Sequence, residues 1–181
     1  MVDKKEYILK IVVLGDAAVG KTSLINQYMD HSFQEDYKPT LGVNILTKEI
    51  KMNKSNVRLI LWDLAAQSKY DLSRKLFFQG CSGAMFVYDI TRHKSFSNIK
   101  NKWYGDFCIY SLAKSEGNYL LIGNKVDLEE SRTVTKEEAE KLADALKVAE
   151  FIETSAKNGK NVDKTFRTLV SRVLKRKGFV L

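Results

Sequence analysis

The sequence contains few of the residues that staple, break or anchor a chain. Its 181 residues include two cysteines and one proline. Cys81 and Cys108 have neither metal-ligand spacing nor a disulfide pattern, so we expect reduced thiols in a cytoplasmic protein. One proline and 44% hydrophobic residues exclude a disordered or low-complexity chain. No apolar stretch approaches the roughly 18 residues of a membrane-spanning helix, and no signal peptide is visible.

What the chain does contain suffices for one domain over residues 1–181. A chain of this length buries about 70% of its unfolded surface and needs no staples. Strand-like apolar runs alternate with helical patterns, which predicts an α/β fold with a mainly parallel sheet. A capping box at Thr135–Glu138 begins one helix, and an apolar stripe from Val162 to Leu174 marks the last. The predicted strands are Tyr7–Leu14, Val43–Met52, Val57–Trp62, Ala84–Asp89, Tyr119–Asn124 and Ala149–Thr154, the second and third forming a hairpin around residues 53–56.

The first chemical motif is a phosphate-binding loop. Gly15 to Thr22 matches G-x-x-x-x-G-K-[ST] and directly follows a predicted buried strand. Such a loop needs glycines where the backbone turns, and a helix N-terminus whose free N–H groups face the anion. Lys21 would then supply a charge for the β- and γ-phosphates, and the Thr22 hydroxyl would ligate Mg²⁺. The alternative, an ordinary turn between strand and helix, does not require the full pattern.

A second motif predicts the base. Asn124-Lys125-Val126-Asp127 follows another apolar run, at the strand end where open α/β sheets bind ligands. The Asp127 carboxylate can accept both N1–H and the exocyclic amine of guanine, a donor pair that adenine lacks. Ser155, Ala156 and Lys157 follow a third strand and would bring backbone N–H groups to the guanine O6. Alone, N-K-x-D could be a polar turn; together with the phosphate loop it indicates a guanine nucleotide.

With these motifs the chain resembles the small GTPases of the Ras superfamily, from about Tyr7 to Leu174. The Rab branch is the nearest match. The resemblance implies a P-loop NTPase (small G-protein) fold, with a six-stranded, mostly parallel sheet and helices on both faces. It also implies a monomeric switch that binds GTP or GDP with Mg²⁺. The segments that carry the Rab resemblance are Tyr37–Asn44, Trp62–Gln67, Phe77–Gly80 and Phe86–Thr91.

The resemblance also assigns roles to single residues. Phe33 would pack against guanine, Tyr37 would cover the phosphates, and Gln67 would orient the attacking water. Thr22, Thr40 and Asp63 would serve the metal, Asp63 through a bound water. An apolar effector face is implied for Leu41, Gly42, Val43, Ile45, Trp62 and Phe77, although a core role for Ile45, Trp62 and Phe77 is equally open. The expected nucleotide-binding residues are Gly15, Ala17, Ala18, Val19, Gly20, Lys21, Thr22, Ser23, Phe33, Tyr37, Thr40, Ala66, Asn124, Lys125, Asp127, Ser155, Ala156 and Lys157.

Four positions depart from the family pattern. Ile45 stands in the first switch where Rab proteins usually have an aromatic residue, and the other three are alanines. Ala17 and Ala18 stand where at least one glycine is common, which narrows the space beside the γ-phosphate and can obstruct an arginine finger. Ala66 replaces the glycine of D-x-x-G, and a non-glycine residue with positive φ costs roughly 1 kcal/mol. Either the switch is altered and hydrolysis is slow, or Ala66 keeps the required conformation and is neutral.

The basic charge is concentrated at the C-terminal end. Residues 160–181 contain seven basic residues and one acid, which gives +6 of the chain's net +8. They could be the solvated face of a terminal helix or an attraction to an anionic membrane surface. Without aromatic interleaving or a recognition motif, nucleic acid is not an expected partner. Rab proteins usually end in prenylated cysteines, but none follows Cys108. Either a tail was removed or the protein works without that anchor.

Three functions remain open from the sequence. The first is a GTP-hydrolysing switch that controls effector binding, served by exchange factors and GTPase-activating proteins that the sequence does not identify. The second is a nucleotide-bound interaction module with negligible turnover, favoured by the three alanines. The third is an ATP-using P-loop enzyme, which Asp127 argues against.

Overall fold

The fold is seen in a computed structural model that describes residues 5–34, 39–52, 55–65, 76–111 and 118–178. Three of the residues given a role above, Tyr37, Ala66 and Gln67, lie outside these ranges. Among the described residues, no helix is both long and apolar enough to cross a membrane.

Six strands form one sheet, in the spatial order β2-β3-β1-β4-β5-β6. Only the β2–β3 pair is antiparallel; β1 pairs in parallel with β3 and β4, and β5 lies in parallel between β4 and β6. The predicted α/β class and mostly parallel six-stranded sheet are therefore confirmed. The strands are β1 Lys5–Leu14, β2 Val43–Met52, β3 Ser55–Leu64, β4 Gly83–Asp89, β5 Tyr119–Asn124 and β6 Glu150–Thr154.

The helices connect these strands and cover both faces of the sheet. The α-helices are α1 Lys21–Asp30, α2 His93–Asn98, α3 Gly105–Tyr110, α4 Lys136–Ala145 and α5 Val162–Arg176. A π-helical segment, Ile99–Tyr104, joins α2 directly to α3, and a 3₁₀ helix occupies Val126–Ser131. The central strands β4 and β5 are buried along their whole length, which explains their nearly continuous apolar sequences.

Two apolar layers hold the helices to the sheet. On one face α1 and α5 meet through Tyr28 and Phe166, whose rings stack 3.9 Å apart. On the other face Phe86 of β4 contacts Phe107 of α3 edge-on at 5.7 Å. Burial of such large side chains is worth about 1.5–3 kcal/mol each, so these layers fix the helices that position the loops.

Local sequence signals correctly predicted the start of α4 and the antiparallel β2–β3 hairpin, but they misplaced one end of the hairpin loop. Thr135 accepts a hydrogen bond from the backbone N–H of Glu138, whose carboxylate accepts from Thr135 in return, as the capping box predicted. The prediction of a loop at residues 53–56 is wrong in its extent, because β3 already begins at Ser55, paired with Met52. Polar Ser55 and Asn56 continue the backbone ladder, which hydrophobic patterning cannot reveal.

Candidate nucleotide site

The phosphate loop connects β1 to α1 and wraps around the Lys21 side chain. The Lys21 ammonium donates hydrogen bonds of 2.9 Å to the carbonyls of Gly15 and Asp16, and only 7% of the residue is exposed. Gly20 has φ 93°, and a Cβ there would overlap the side chain of Asn124. Glycine is therefore required at position 20 by both conformation and space. The loop holds its cation at the mouth of a helix N-terminus, as an anion site requires.

The two alanines of the loop are exposed at its tip. Ala18 adopts the left-handed region with φ 60°, at a cost of roughly 1 kcal/mol for a residue with a Cβ. The carbonyl of Ala17 accepts a 2.7 Å hydrogen bond from the guanidinium of Arg92, a residue 75 positions later in the chain. This external tie helps to hold a loop whose backbone is locally strained.

The three predicted metal-associated residues converge from three separate segments. Thr22 opens α1, Thr40 precedes β2, and Asp63 lies near the end of β3. The Thr22 hydroxyl donates to Asp63 Oδ2 at 2.5 Å and lies 3.0 Å from the Thr40 hydroxyl. The cluster joins the phosphate loop to the segment that the resemblance identifies as the first switch.

The Asp63 carboxylate is buried and only partly hydrogen-bonded, which favours a bound cation. Its side chain is fully buried, and burial raises the pKa of its carboxyl; Thr22, the Lys21 charge and Thr40 offset this only in part. In the part of the chain that the structure describes, Asp63 Oδ1 is one of the few buried side-chain atoms without a hydrogen-bond partner. A buried, unsatisfied carboxylate oxygen beside two hydroxyls is a set of hard oxygen donors, which fits Mg²⁺.

At the other end of the site, Asn124 ties two loops together. Its amide nitrogen donates to the carbonyl of Val19 at 2.9 Å, and its Oδ1 accepts from the Thr154 hydroxyl and the Ala156 N–H at 3.1 and 3.2 Å. Asn124 is 1% exposed, so water cannot replace these bonds. Asn124 therefore fixes the phosphate loop relative to the loop of residues 155–158 that follows β6, which is the predicted base-binding loop.

Asp127 is oriented by that same base-binding loop. Its Oδ1 accepts a 2.5 Å hydrogen bond from the Ser155 hydroxyl, which itself accepts from the backbone N–H of Asn158. Asp127 is exposed, and a carboxylate can accept more than one hydrogen bond, so it has acceptor capacity for a ligand. Lys157 is exposed in the same loop.

A buried carboxylate that the motif analysis did not assign lies between the two halves of the site. Asp89 ends β4, and its side chain is 2% exposed. Its Oδ2 pairs with Lys125 at 2.7 Å and with Arg92 at 3.3 Å, while its Oδ1 accepts from the N–H and hydroxyl of Thr91. Burial raises the pKa of Asp89, but the hydrogen bonds from Lys125 and Thr91 outweigh it and hold the pKa below its usual range.

Asp16, the second residue of the phosphate loop, was also missed. Its carboxylate accepts hydrogen bonds from Asn98 at 2.7 Å and from the Trp103 indole at 2.8 Å, both on the helical segment after β4. The sequence signal was weak for Asp16 because the x positions of the phosphate-loop motif are unconstrained, and for Asp89 because it belongs to neither nucleotide motif. A polar residue at the end of a parallel strand, as at Asp89, is the one cue that could have singled it out.

The predicted effector residues lie beside β2 and β3. Ile45 is opposite Trp62 in the β2–β3 register and is 48% exposed. The Trp62 ring lies 5.9 Å from Phe77, tilted by 47°, and the Lys10 ammonium lies 3.9 Å from the indole centre. Leu41 is 74% exposed, while Gly42 and Val43 are half-buried. These apolar side chains form an exposed face next to the Thr40 segment, and their role stays a prediction.

The remaining assignments differ in how closely they fit the site. Val19 is fully buried, Ser23 is half-buried in the first turn of α1, and Ala156 is buried in the base-binding loop. Phe33 follows α1 and is 38% exposed. Apart from Thr40 and Phe33, the described phosphate, metal and base residues lie at the carboxyl ends of β1, β3, β5 and β6 or in the segments that directly follow them. This is the edge at which parallel sheets bind ligands.

Comparison with known proteins agrees with this arrangement. The sequence profile of the Ras family matches residues 10–175. The chain is 37% identical over 177 residues to the Ypt/Rab-type GTPase ypt7 of Schizosaccharomyces pombe, covering 96% of this chain and 86% of that protein. It is 36% identical over 179 residues to Ras-related protein Rab7 of Cenchrus ciliaris, covering 97% and 86%. It is 38% identical over 172 residues to Ras-related protein Rab-1 of Theileria parva, covering 95% and 76%.

These matches span nearly the whole chain and include both nucleotide motifs. They remove the ATP-using enzyme from consideration, because the relatives are named as GTPases or Ras-related proteins. The chain belongs to the Ras family of small GTPases, in its Rab branch, and is a guanine-nucleotide switch.

Proposed function

We propose that this GTPase binds GTP and GDP with Mg²⁺, with Thr22, Thr40 and Asp63 serving the metal and Asp127 selecting guanine. The observation that carries the proposal is the buried, unsatisfied Oδ1 of Asp63 beside two hydroxyls. Leaving such an oxygen without a partner costs about 1–3 kcal/mol, which a bound cation or its water would recover.

Each half of the site has a separate chemical task. Lys21 is held by the loop carbonyls and would supply its charge to the β- and γ-phosphates. Bound Mg²⁺ supplies charge stabilisation to the phosphate oxygens. Thr40 lies within the first switch, Tyr37–Asn44, so it would connect the presence of a γ-phosphate to the position of the effector face that begins at Leu41. This connection is how nucleotide state would control effector binding.

Removal of the metal gives a direct test. EDTA is expected to speed the release of a fluorescent GDP analogue from wild type by at least about ten-fold, because phosphate charge loses its counterion in a poorly hydrated site. Asp63→Asn should release GDP quickly in Mg²⁺ and respond little to EDTA. Asp144→Asn, on the exposed side of α4, is the matched control and should behave as wild type. An Asp63→Asn protein with the full response to EDTA would contradict the metal assignment.

We further propose that intrinsic hydrolysis is slow. Gln67 would orient the attacking water only when the second switch, Trp62–Gln67, closes on the γ-phosphate. That closure depends on the backbone conformation at Ala66. Phosphate release under single-turnover conditions should be slow in wild type, faster in Ala66→Gly and slower in Gln67→Leu. If all three proteins release phosphate at one rate, Gln67 has no catalytic role and the nucleotide-bound interaction module becomes the better description.

The proposal extends to partners and location. Effectors would dock on the apolar face around Ile45 and Trp62, and exchange factors and GTPase-activating proteins would act on the switches. Peripheral attraction to an anionic membrane would come from the end of α5, where Lys175, Arg176 and Lys177 are exposed. Two other cations of this helix, at positions 164 and 172, are partly neutralised by Glu150 at 3.7 and 3.6 Å.

A further inference from the structure

We infer that Asp89 and Arg92 form a clasp that couples the phosphate loop to the Asn124–Asp127 segment after β5, so that both act as positioning residues for nucleotide retention. The inference rests on the proposed function, since it concerns how the same site holds GDP. Asp89 is the buried anion between two cations, and each cation reaches a different loop.

The phosphate end of the clasp is the contact between Arg92 and the Ala17 carbonyl. The guanidinium donates through Nη2 to that carbonyl at 2.7 Å and through Nε to Asp89 at 3.3 Å. Its fork geometry allows both contacts at once. Ala17 precedes Ala18, whose backbone has φ 60°, so the tie acts next to the strained point of the loop. It restrains the carbonyl at the place where the loop must keep its N–H groups turned toward phosphate.

The base end of the clasp is the ion pair between Lys125 and Asp89. Lys125 also has a positive φ of 73°, an unfavourable conformation for a lysine. Its ammonium lies 2.7 Å from Asp89 and its side chain is 31% exposed. This pair fixes the residue two positions before Asp127, whose direction decides whether guanine can be read.

Asp89 itself is held rigidly enough to transmit a constraint. Its side chain is 2% exposed, and its second oxygen accepts 2.9 and 2.7 Å hydrogen bonds from Thr91. The Asp89 backbone N–H also donates a 3.1 Å hydrogen bond to the buried Ser95 hydroxyl. Loss of either cation would leave this buried carboxylate under-compensated, so the two ends of the clasp are energetically linked through it.

The competing explanation is that Arg92 forms only an ordinary surface ion pair. Its side chain is 43% exposed, and exposed pairs typically contribute little. That explanation predicts no effect on nucleotide and no interaction with Lys125. The clasp predicts both, and a double-mutant cycle separates the two cases.

The experiment measures dissociation of a fluorescent GDP analogue in excess Mg²⁺ and unlabelled GDP. We expect Arg92→Gln to speed dissociation about five-fold, the usual value of one charge-assisted hydrogen bond discounted for exposure. Lys125→Met should do the same or more. If the clasp couples the loops, the double variant dissociates close to the faster single variant, because either change already breaks the connection.

Two further variants test the contacts of Arg92 and control for the loss of a surface arginine. Arg92→Lys keeps the charge but cannot contact Asp89 and the Ala17 carbonyl with separate nitrogens, so it should still dissociate about two- to three-fold faster than wild type. Arg58→Gln is the matched control and should release GDP at the wild-type rate. Arg58 lies on β3 and pairs with Glu49 of β2, far from the clasp. Thermal melts of each variant verify the fold independently of the kinetics.

The outcomes distinguish the inference from the proposed function. Rates within two-fold of wild type for Arg92→Gln, full rescue by Arg92→Lys, or multiplicative effects in the double variant would each overturn the clasp. A wild-type protein that binds no GDP would instead refute the nucleotide site itself.

Discussion

Replacement of Asn124 by alanine is expected to destabilise the protein and to loosen its grip on nucleotide together. The change removes three hydrogen bonds, one donated to Val19 and two accepted from Thr154 and Ala156. All three partners are at most 3% exposed, so water does not replace the lost contacts. At about 1 kcal/mol for each buried hydrogen bond, the free energy of unfolding should fall by about 3 kcal/mol.

The measurement is urea unfolding followed by circular dichroism at a fixed excess of Mg²⁺ and GDP. Bound nucleotide adds RT ln(1 + [L]/Kd) to the free energy of unfolding. The Kd of each variant, measured by association and dissociation of a fluorescent analogue, therefore allows the binding contribution to be subtracted. GDP dissociation itself should accelerate, because the phosphate loop and the base-binding loop lose their shared anchor.

Asn118→Ala supplies the comparison. Asn118 directly precedes the first residue of β5, whereas Asn124 is its last. Asn118 is 6% exposed and donates one long hydrogen bond of 3.3 Å to the Ser82 carbonyl. We expect about 1 kcal/mol of destabilisation there and no change in GDP dissociation. A loss below about 1 kcal/mol for Asn124→Ala, or equal effects of the two variants on dissociation, would refute the reasoning that Asn124 joins the two loops.

Four other outcomes follow from the site. Asp127→Asn should weaken GTP binding and favour xanthine nucleotides, whose 2-oxo group suits an amide donor; competition with GTP, ATP and XTP measures this, and equal wild-type affinity for ATP and GTP would count against it. Thr22→Asn should weaken GTP more than GDP in equilibrium titration, since the metal bridges the β- and γ-oxygens. Gly20→Ala should abolish GDP retention in a filter assay, because its Cβ meets Asn124 and its φ is 93°. Asp89→Asn should be less stable than wild type near pH 7; because the folded pKa of Asp89 lies below its usual range, the gap should close as pH falls below about 4 in denaturant melts, and a gap that is constant with pH would contradict the assignment.

The sequence predicted the parts of this site that depend on local chemistry. Lys21 and Asn124 belong to short motifs, so residue type and spacing alone predict that both lie in the site. The contacts that Asn124 makes there are long-range and were not predicted. Predictions failed where long-range packing decides the geometry. Arg92 meets the Ala17 carbonyl across 75 residues, and no pattern in the sequence relates them. The β3 strand begins at Ser55 because backbone pairing, rather than side-chain polarity, determines where a hairpin ladder ends.

The catalytic roles of Gln67 and Ala66 are the assignments that the sequence predicts least well. Gln67 and Ala66 take their roles from the resemblance alone, since they fall outside the described ranges. Their effects depend on the difference in free energy between two switch conformations, which a motif does not encode. The kinetic comparison of Ala66→Gly with Gln67→Leu is the measurement that reaches them.

The π-helical segment Ile99–Tyr104 makes this part of the chain tolerant of a change in length. In an α-helix, side chains five positions apart point about 140° away from each other, so Asn98 and Trp103 could not both reach Asp16. The wider π turn brings them to one side, and both donate to that carboxylate. Deleting Asn101 would place the tryptophan four positions after Asn98, which an ordinary α-helical turn also keeps on one side. The segment is therefore an adjustable spacer: we expect the shortened chain to retain the anchor on Asp16 while α3 begins one residue sooner along the helix.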